Sequence, residues 1–348
     1  MPEVEAVAGR VAPADELRAY ARDLLLGVGS PEAVAARVAE GLVSANLAGH
    51  DSHGVQLVPY YAELVASGQI RLDVETEVVV DRGAVVVLDG KYGFGHVVGM
   101  EAVALATERA REHGVACVLG RNANHLARLG EYTWALAEAG LASILLVNCQ
   151  GGEQLVPPFG GAEPRLTNNP VSFCAPAGTH PALVDMALSV AAEAKVWLAA
   201  ARGVAIPEGW IVDGDGNPTT DPTDLGRGGM LLPVGAHKGY ALIVLVDILA
   251  GILSGGGACR ADPPEVFSNA FLLVAVDVEP LRPRAEYDRE VEALRSHVKT
   301  APSAGPILFP GEFELESATR REREGIPIEP RTWEALAELA RRVGVEPL

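Results

Sequence analysis

The chain reads as an α/β fold with a mixed sheet, joined to a small helical domain built from its two ends. Three observations point there. Residues 15–66 repeat apolar side chains at helical spacing and contain no strand-like run. From Glu77 onward, β-branched runs alternate with helical stretches. A last helical stretch follows near the C-terminus and offers a partner for the first ones.

Taken in order, Asp15 is placed to cap a helix carrying Leu17, Tyr20 and Leu24. Ser30-Pro31 supplies a cap residue followed by proline, and the helix it opens sets Val34, Val38 and Leu42 beside Ala35, Ala39, Val43 and Leu47. Pro59 opens a third helix that ends near Gly68. Glu77–Val80 and Ala84–Leu88, split by Asp81-Arg82-Gly83, predict a hairpin. Val115–Leu119, Ser143–Val147, Pro170–Ala175 and Phe271–Val276 are further strands, with helices near 97–113, 130–139 and 189–202. Tyr240–Leu253 is an apolar run interrupted by Asp247; it is short of the roughly 20 residues of a membrane span and reads as a buried helix. Thr332 is placed to cap a final helix through Arg342. The division is residues 1–72, completed by about 300–348, for the helical unit and 73–299 for the α/β unit.

Composition narrows the function. A formal charge of −18 argues against nucleic acid or an anionic membrane as partner, so an anionic ligand needs a local basic site. Cys117, Cys149, Cys174 and Cys259 are scattered and read as thiols of a reducing cytoplasm rather than a disulfide framework. Glu3 and Glu5, with no long apolar core nearby, argue against a secretory signal.

The segment most suggestive of chemistry is His50-Asp51-Ser52-His53-Gly54-Val55. It follows a helix and precedes a loop, so two imidazoles, a carboxylate and a hydroxyl are displayed together. A helix C-cap with surface histidines is the plain alternative. A metal-dependent hydrolase using His50, His53 and Asp51 is another, although the chain has no Cys-x-x-Cys to complete a site. Arg121-Asn-Ala-Asn-His125-Leu-Ala-Arg128 forms a second titratable cluster between a strand and a helix, and Asp185 ends an apolar strand. Gly93-Phe-Gly95-His-Val-Val-Gly99 has the wrong glycine spacing for a dinucleotide fingerprint. Asp213–Thr219 has Pro218 where a calcium loop requires glycine, and reads as a hairpin turn. Lys238, one of only four lysines, stands at the start of the most apolar helix, where an anion suits both its ammonium and the free N–H groups.

These segments in this order resemble the malate/L-lactate dehydrogenase family, which also holds ureidoglycolate dehydrogenase and diketogulonate reductase. The resemblance runs through Gly49–Val55, Asn122–Gly130, Pro158–Gly161, Asn168–Pro170, Val184–Met186, Ile206–Trp210, Pro218–Asp221, His237–Tyr240 and Pro310–Glu312, and includes Ser44–Gly54 and Arg320–Pro327. It implies a non-Rossmann α/β fold, a cofactor-binding unit at 73–299 and a homodimer. It also implies NAD, with NADP as the alternative, and a small 2-hydroxy or 2-oxo acid as substrate, such as malate, lactate or a bulkier acid like phenyllactate. Reduction of a cyclic imine carboxylate is another activity of the group. By the resemblance His53 is the proton donor and acceptor, with His125 sharing that role or holding the substrate carbonyl. Asn148, Cys149, Val184, Asp185, Met186, Lys238, Gly311 and Glu312 lie along the cofactor. No metal is implied. Two departures stand out: Leu57 occupies a position where much of the family has arginine, and Arg128 one where it usually has a small residue. From these we expect Arg128 to take over the substrate carboxylate.

Overall fold

In the computed structural model, which describes residues 9–348, the two ends of the chain meet. Strand β1 (Arg10–Ala12) pairs antiparallel with β12 (Ile326–Ile328), Arg10 facing Ile328. Around this junction pack α1 (Ala14–Gly27), α2 (Glu32–Leu47), α3 (Val58–Ala66) and α10 (Pro330–Val343). Leu17, Leu24, Val38, Leu42 and Val58 from the first part and Ile326, Leu336 and Leu339 from the last share one apolar cluster, which explains why neither segment is amphipathic to no purpose. Glu3 and Glu5 lie outside the described residues.

A seven-stranded sheet forms the second layer, in the order β2 (Glu77–Arg82), β3 (Val85–Asp89), β4 (Val115–Ala123), β11 (Ser268–Asp277), β5 (Leu141–Gln150), β6 (Val171–Ala175), β7 (Ala182–Met186). Only the β3–β4 pair is parallel; every other neighbour is antiparallel. That is a mixed sheet, not a doubly wound one. Helices α4 (Gly95–His113) and α5 (Gly130–Glu138) cover one face, burying Val98, Ala102, Tyr132 and Leu136 against Val118, Leu145 and Phe271. A third cluster joins α6 (Glu193–Arg202), α7 (His237–Val246) and a small sheet of β8 (Ile211–Val212), β9 (Pro218–Thr219) and β10 (Met230–Leu231). Asp213 accepts hydrogen bonds from the N–H groups of Asp215 and Asn217, so the Asp-rich segment is a hairpin turn between β8 and β9.

Several local expectations are corrected. Helix α1 starts at Ala14 behind Pro13, and Asp15 sits in its first turn beside Arg18, 2.6 Å away, instead of capping. Pro31, not Ser30, is the cap residue of α2, and the Ser30 hydroxyl is buried without a partner. Likewise α10 begins at Pro330, placing Thr332 inside its first turn. In each case a proline with φ already near the helical value sets the start, overriding the polar side chain. Helices α8 (Arg284–Lys299) and α9 (Glu312–Glu324) were not anticipated, because both are highly charged and bury few residues, so no apolar repeat marks them. Finally, the run expected as a buried helix starts at His237 and passes into a π-helical turn over Asp247–Ile252. It buries one side only: Leu242, Leu245, Ile248, Leu249, Ile252 and Leu253 are exposed. Among the described residues no helix is long and apolar enough to cross a membrane.

Candidate active site

The hexad is held rigidly from beneath. Gly49, at φ +86, ends α2 in the left-handed conformation, so the plain helix-cap reading is correct for the backbone. The side chains beyond it are nevertheless individually anchored. Arg321 of α9 grips Asp51 with both guanidinium nitrogens, at 2.7 and 3.0 Å, and Asn46 donates to the same carboxylate at 2.6 Å. The Asn46 amide oxygen accepts the Val55 N–H at 2.9 Å, and a Cβ on Gly54 would lie 2.2 Å from that oxygen. Only glycine lets the loop close over Asn46. His50 turns the other way, with Nε2 3.2 Å from Glu314.

His53 faces a second histidine. Its ring stacks on His125, centroids 5.9 Å apart and planes 24° apart. Ser52 Oγ lies 3.0 Å from His53 Nδ1, which leaves Nε2 as the free ring nitrogen. His125 Nδ1 lies 3.0 Å from the Tyr61 hydroxyl. Burial pushes His53 down to about 3, helped by the positive fields of His125, His50, Arg128 and Lys195. Burial alone pushes His125 down to about 4. Both rings are therefore neutral across the physiological range, the state in which an imidazole accepts a proton.

The His125 loop is pinned by its backbone. Its N–H donates to Asn124 at 2.8 Å, and the Leu126 N–H donates to Asn269 of β11 at 2.9 Å. The glycine run at 93–99 contributes here: a Cβ on Gly95 would lie 2.2 Å from the His125 carbonyl oxygen, so α4 starts directly against this loop.

Beside the histidines lies a buried charge cluster. Arg128 is only 7% exposed, and among the described residues its guanidinium has neither a hydrogen bond nor a carboxylate at ion-pair distance. Asp185 accepts the Gly130 N–H at 2.6 Å; burial pushes its carboxyl up, with the Arg128 charge and that hydrogen bond pulling it back. Burial also disfavours the Glu314 carboxylate, but the His50 hydrogen bond and the Arg128 field hold it below its ordinary value. A buried guanidinium without a direct partner costs several kcal/mol, so an anion docking there would be strongly favoured. The lysines show the same economy. Lys91 pairs with Glu77 and Lys299 with Glu312, whereas Lys195 and Lys238 have no carboxylate partner among the described residues.

The remaining candidates fall into separate places. Asn148 is fully buried, donating to Asp247 at 3.2 Å and to the Gly257 carbonyl at 3.0 Å, with its own Oδ1 unpartnered. Cys149 lies next to it; burial pushes its thiol up to about 12. Val184 and Met186 face outward from β7, on the side of the strand opposite Asp185. Lys238 is exposed in the first turn of α7, behind Ala236 at φ +54. Gly311 needs its φ of +89, and Glu312 is held by Lys299 at 2.6 and 2.7 Å at the edge of an opening of about 530 Å³ between α8, α9 and the β6–β7 loop. His50, Asp51 and His53 each address a different partner, and among the described residues no three His, Cys, Asp or Glu side chains form a metal-holding group. Sequence reading missed Tyr61, His96, Asn269, Glu314 and Arg321. Each lies within a helix or strand, where a polar residue carries no local sign that it reaches a loop far away in sequence.

Comparison with known proteins follows the same line. A family model described as malate/L-lactate dehydrogenase matches residues 12–337. Hydroxycarboxylate dehydrogenase B of Escherichia coli (strain K12) is 35% identical over 341 residues, 95% of this chain and 94% of that protein. The structure of malate dehydrogenase from Pyrococcus horikoshii OT3 superposes with a TM-score of 0.90 at 32% identity, covering 100% of this chain and 99% of the other. That of delta1-piperideine-2-carboxylate reductase from Pseudomonas syringae pvar. tomato gives a TM-score of 0.84 at 30% identity, covering 95% and 100%.

Proposed function

The chain belongs to the malate/L-lactate dehydrogenase family and is an oxidoreductase, and from that premise we propose that it transfers hydride between a nicotinamide cofactor and a 2-hydroxy or 2-oxo carboxylic acid. The observation that carries the proposal is the pairing of two neutral, stacked histidines with an unpartnered buried guanidinium. Acid–base groups and a carboxylate anchor are what such a substrate demands.

The residues fit an anionic dinucleotide: Lys238 and the free N–H groups of α7 suit a pyrophosphate, and Lys195 adds a second unpaired cation. Outward-facing Val184 and Met186, with Gly311, would line it; Asp185 would brace the strand from its other face through the Gly130 N–H, and Asn148 and Cys149 would support its floor. The nicotinamide supplies the hydride acceptor in oxidation and the hydride donor in reduction. In oxidation the free Nε2 of His53 takes the substrate hydroxyl proton; in reduction the imidazolium returns it. Arg128 holds the carboxylate and so orients the reacting carbon. The bound anion also offsets the positive field on His53, which makes the imidazolium easier to form. NAD is the cofactor we propose, with NADP as the other arm of the assay.

A panel of malate, lactate, phenyllactate and their oxo acids, with each cofactor and followed by reduced-nicotinamide absorbance, tests this. Turnover of at least one pair is expected; none across the panel would overturn it. A cyclic imine carboxylate belongs in the panel, because the reductase likeness favours that as a second reading.

The same reading carries a homodimer in the cytoplasm. The exposed stripe Leu242, Leu245, Leu249 and Ile252 supports it, since apolar side chains so aligned are seldom left in water. Light scattering after size exclusion should give twice the chain mass, with Leu245→Glu shifting it toward one. A wild type of single-chain mass at micromolar concentration would contradict the dimer.

A further inference from the structure

Behind His125 a line of titratable side chains runs through the interior toward the opposite surface. The Tyr61 hydroxyl, on α3, is 3.0 Å from His125 Nδ1 and 3.5 Å from His96 Nε2, on α4. His96 Nδ1 is 3.7 Å from Glu131 Oε2, on α5, and Glu131 is paired through its other oxygen with Arg37 of α2. Tyr61 and His96 are each only 1% exposed. His96 Nδ1 and Glu131 Oε2 are both buried and both lack a hydrogen-bond partner, although they face one another. Two orphaned polar atoms opposed in a tight interior are costly at rest. They become a charge pair if His96 gains a proton. The backbone leaves them little room to do anything else, since a Cβ on Gly41 would lie 2.4 Å from His96 Nδ1.

We infer that Tyr61, His96 and Glu131 form a proton path between the two active-site histidines and the surface at Arg37. The inference rests on the hydroxy-acid reading above. In oxidation, the proton taken by His53 passes through a solvent molecule between the rings to His125 Nε2. His125 gives its Nδ1 proton to the Tyr61 oxygen, and Tyr61 gives its own hydroxyl proton to His96 Nε2. One proton enters at His125 and one arrives at His96. The new imidazolium is then offset by Glu131, whose Oε2 takes the Nδ1 proton and releases it to solvent beside the partly exposed Arg37, which stays charged throughout. Reduction runs the same shifts in reverse. Tyr61 needs no lasting charge, because it gains one proton as it loses another.

The charged and titratable groups facing His96 are Arg37 from α2, Tyr61 from α3, Glu131 from α5, and His53 and His125 from the active-site loops. Burial first, then the Arg37 charge, keeps His96 well below the ordinary imidazole range, so at rest it is neutral, and the facing Glu131 carboxylate is what offsets its charge when a proton arrives. Tyr61 and His96 are positioning residues, acting on substrate only through His125.

The test is Tyr61→Phe in the full-length enzyme. It should lower kcat by about tenfold at low buffer concentration, with KM changed less than about twofold. High imidazole buffer, which takes the His53 proton directly, should restore kcat; the wild type should show a curved dependence on deuterium fraction, and the variant a linear one. An unchanged kcat, or a loss that buffer does not restore, overturns the path. Nitrogen-labelled histidine NMR of the wild type provides a reading without turnover: His96 should be neutral, and a His96 already charged at neutral pH overturns the path too. A wild type inactive on the whole panel brings down the functional reading and the path together; an active wild type with an unaltered Tyr61→Phe brings down the path alone.

Discussion

Replacing His53 with alanine should lower turnover of a 2-hydroxy acid by about 10²–10⁴-fold, the usual worth of general acid–base help. Binding of reduced cofactor, followed by its fluorescence, should persist, because the unpaired Lys238 and Lys195 lie on other elements. His53 is the group expected to matter because Ser52 occupies one ring nitrogen and the other is free. Near-normal turnover in the variant would refute the assignment. The substitution carries a second signature. With a folded pKa near 3 against an ordinary 6.5, His53 takes up its proton far more readily in the unfolded chain. Acid therefore favours unfolding progressively from about pH 6.5 down toward 3, and stability from this group is complete only above that window. His53→Ala should flatten this part of the acid limb, read as unfolding midpoint against pH. His125 acts in the same direction down to about 4, so the flattening is partial.

The second large effect is expected from Arg128→Ala. Removing one partner of a desolvated, charge-assisted contact costs roughly 2–5 kcal/mol, so kcat/KM should fall by about two orders of magnitude, chiefly through KM. Arg128→Lys should recover only part of it, since an ammonium cannot pair with a carboxylate in two parallel hydrogen bonds. Stability should separate this from a structural role. Arg128 has no direct partner in the folded chain, so Arg128→Met, similar in length and apolar, should not lower the thermal midpoint much. Unchanged Michaelis constants for malate, lactate and phenyllactate would sink the assignment. So would equal loss of midpoint and activity in Arg128→Met, which would make Arg128 a structural brace for Asp185 and Glu314.

The exchange of a family arginine for Leu57 also looks different with the structure in hand. Leu57 packs against the helical core built from both chain ends. It therefore contributes apolar burial there, whereas Arg128 stands in the loop between β4 and α5, where its charge acts on His53.

Local chemistry made much of this protein legible from the sequence. The β-branched runs gave the correct strands, the hairpin at Gly83 followed from its turn residues, and the two histidine segments stood out because imidazole is uncommon and both lie where a helix or strand ends. The glycine spacing at 93–99 departs from the dinucleotide fingerprint, and Gly95 is needed for close packing on His125. Only the tertiary structure decided the rest. Arg321 binds Asp51 and Glu314 pairs with His50 from a helix more than two hundred residues away, and a charged helix face looks the same whether its residues meet solvent or a distant loop. The Tyr61–His96–Glu131 line joins three helices whose polar residues have no shared period. Burial, which sets the protonation of His53 and His125, is a property of what the whole chain packs around them. Residue type determined which groups were able to exchange protons; long-range packing determined which were dry, which were paired, and which were left free to act.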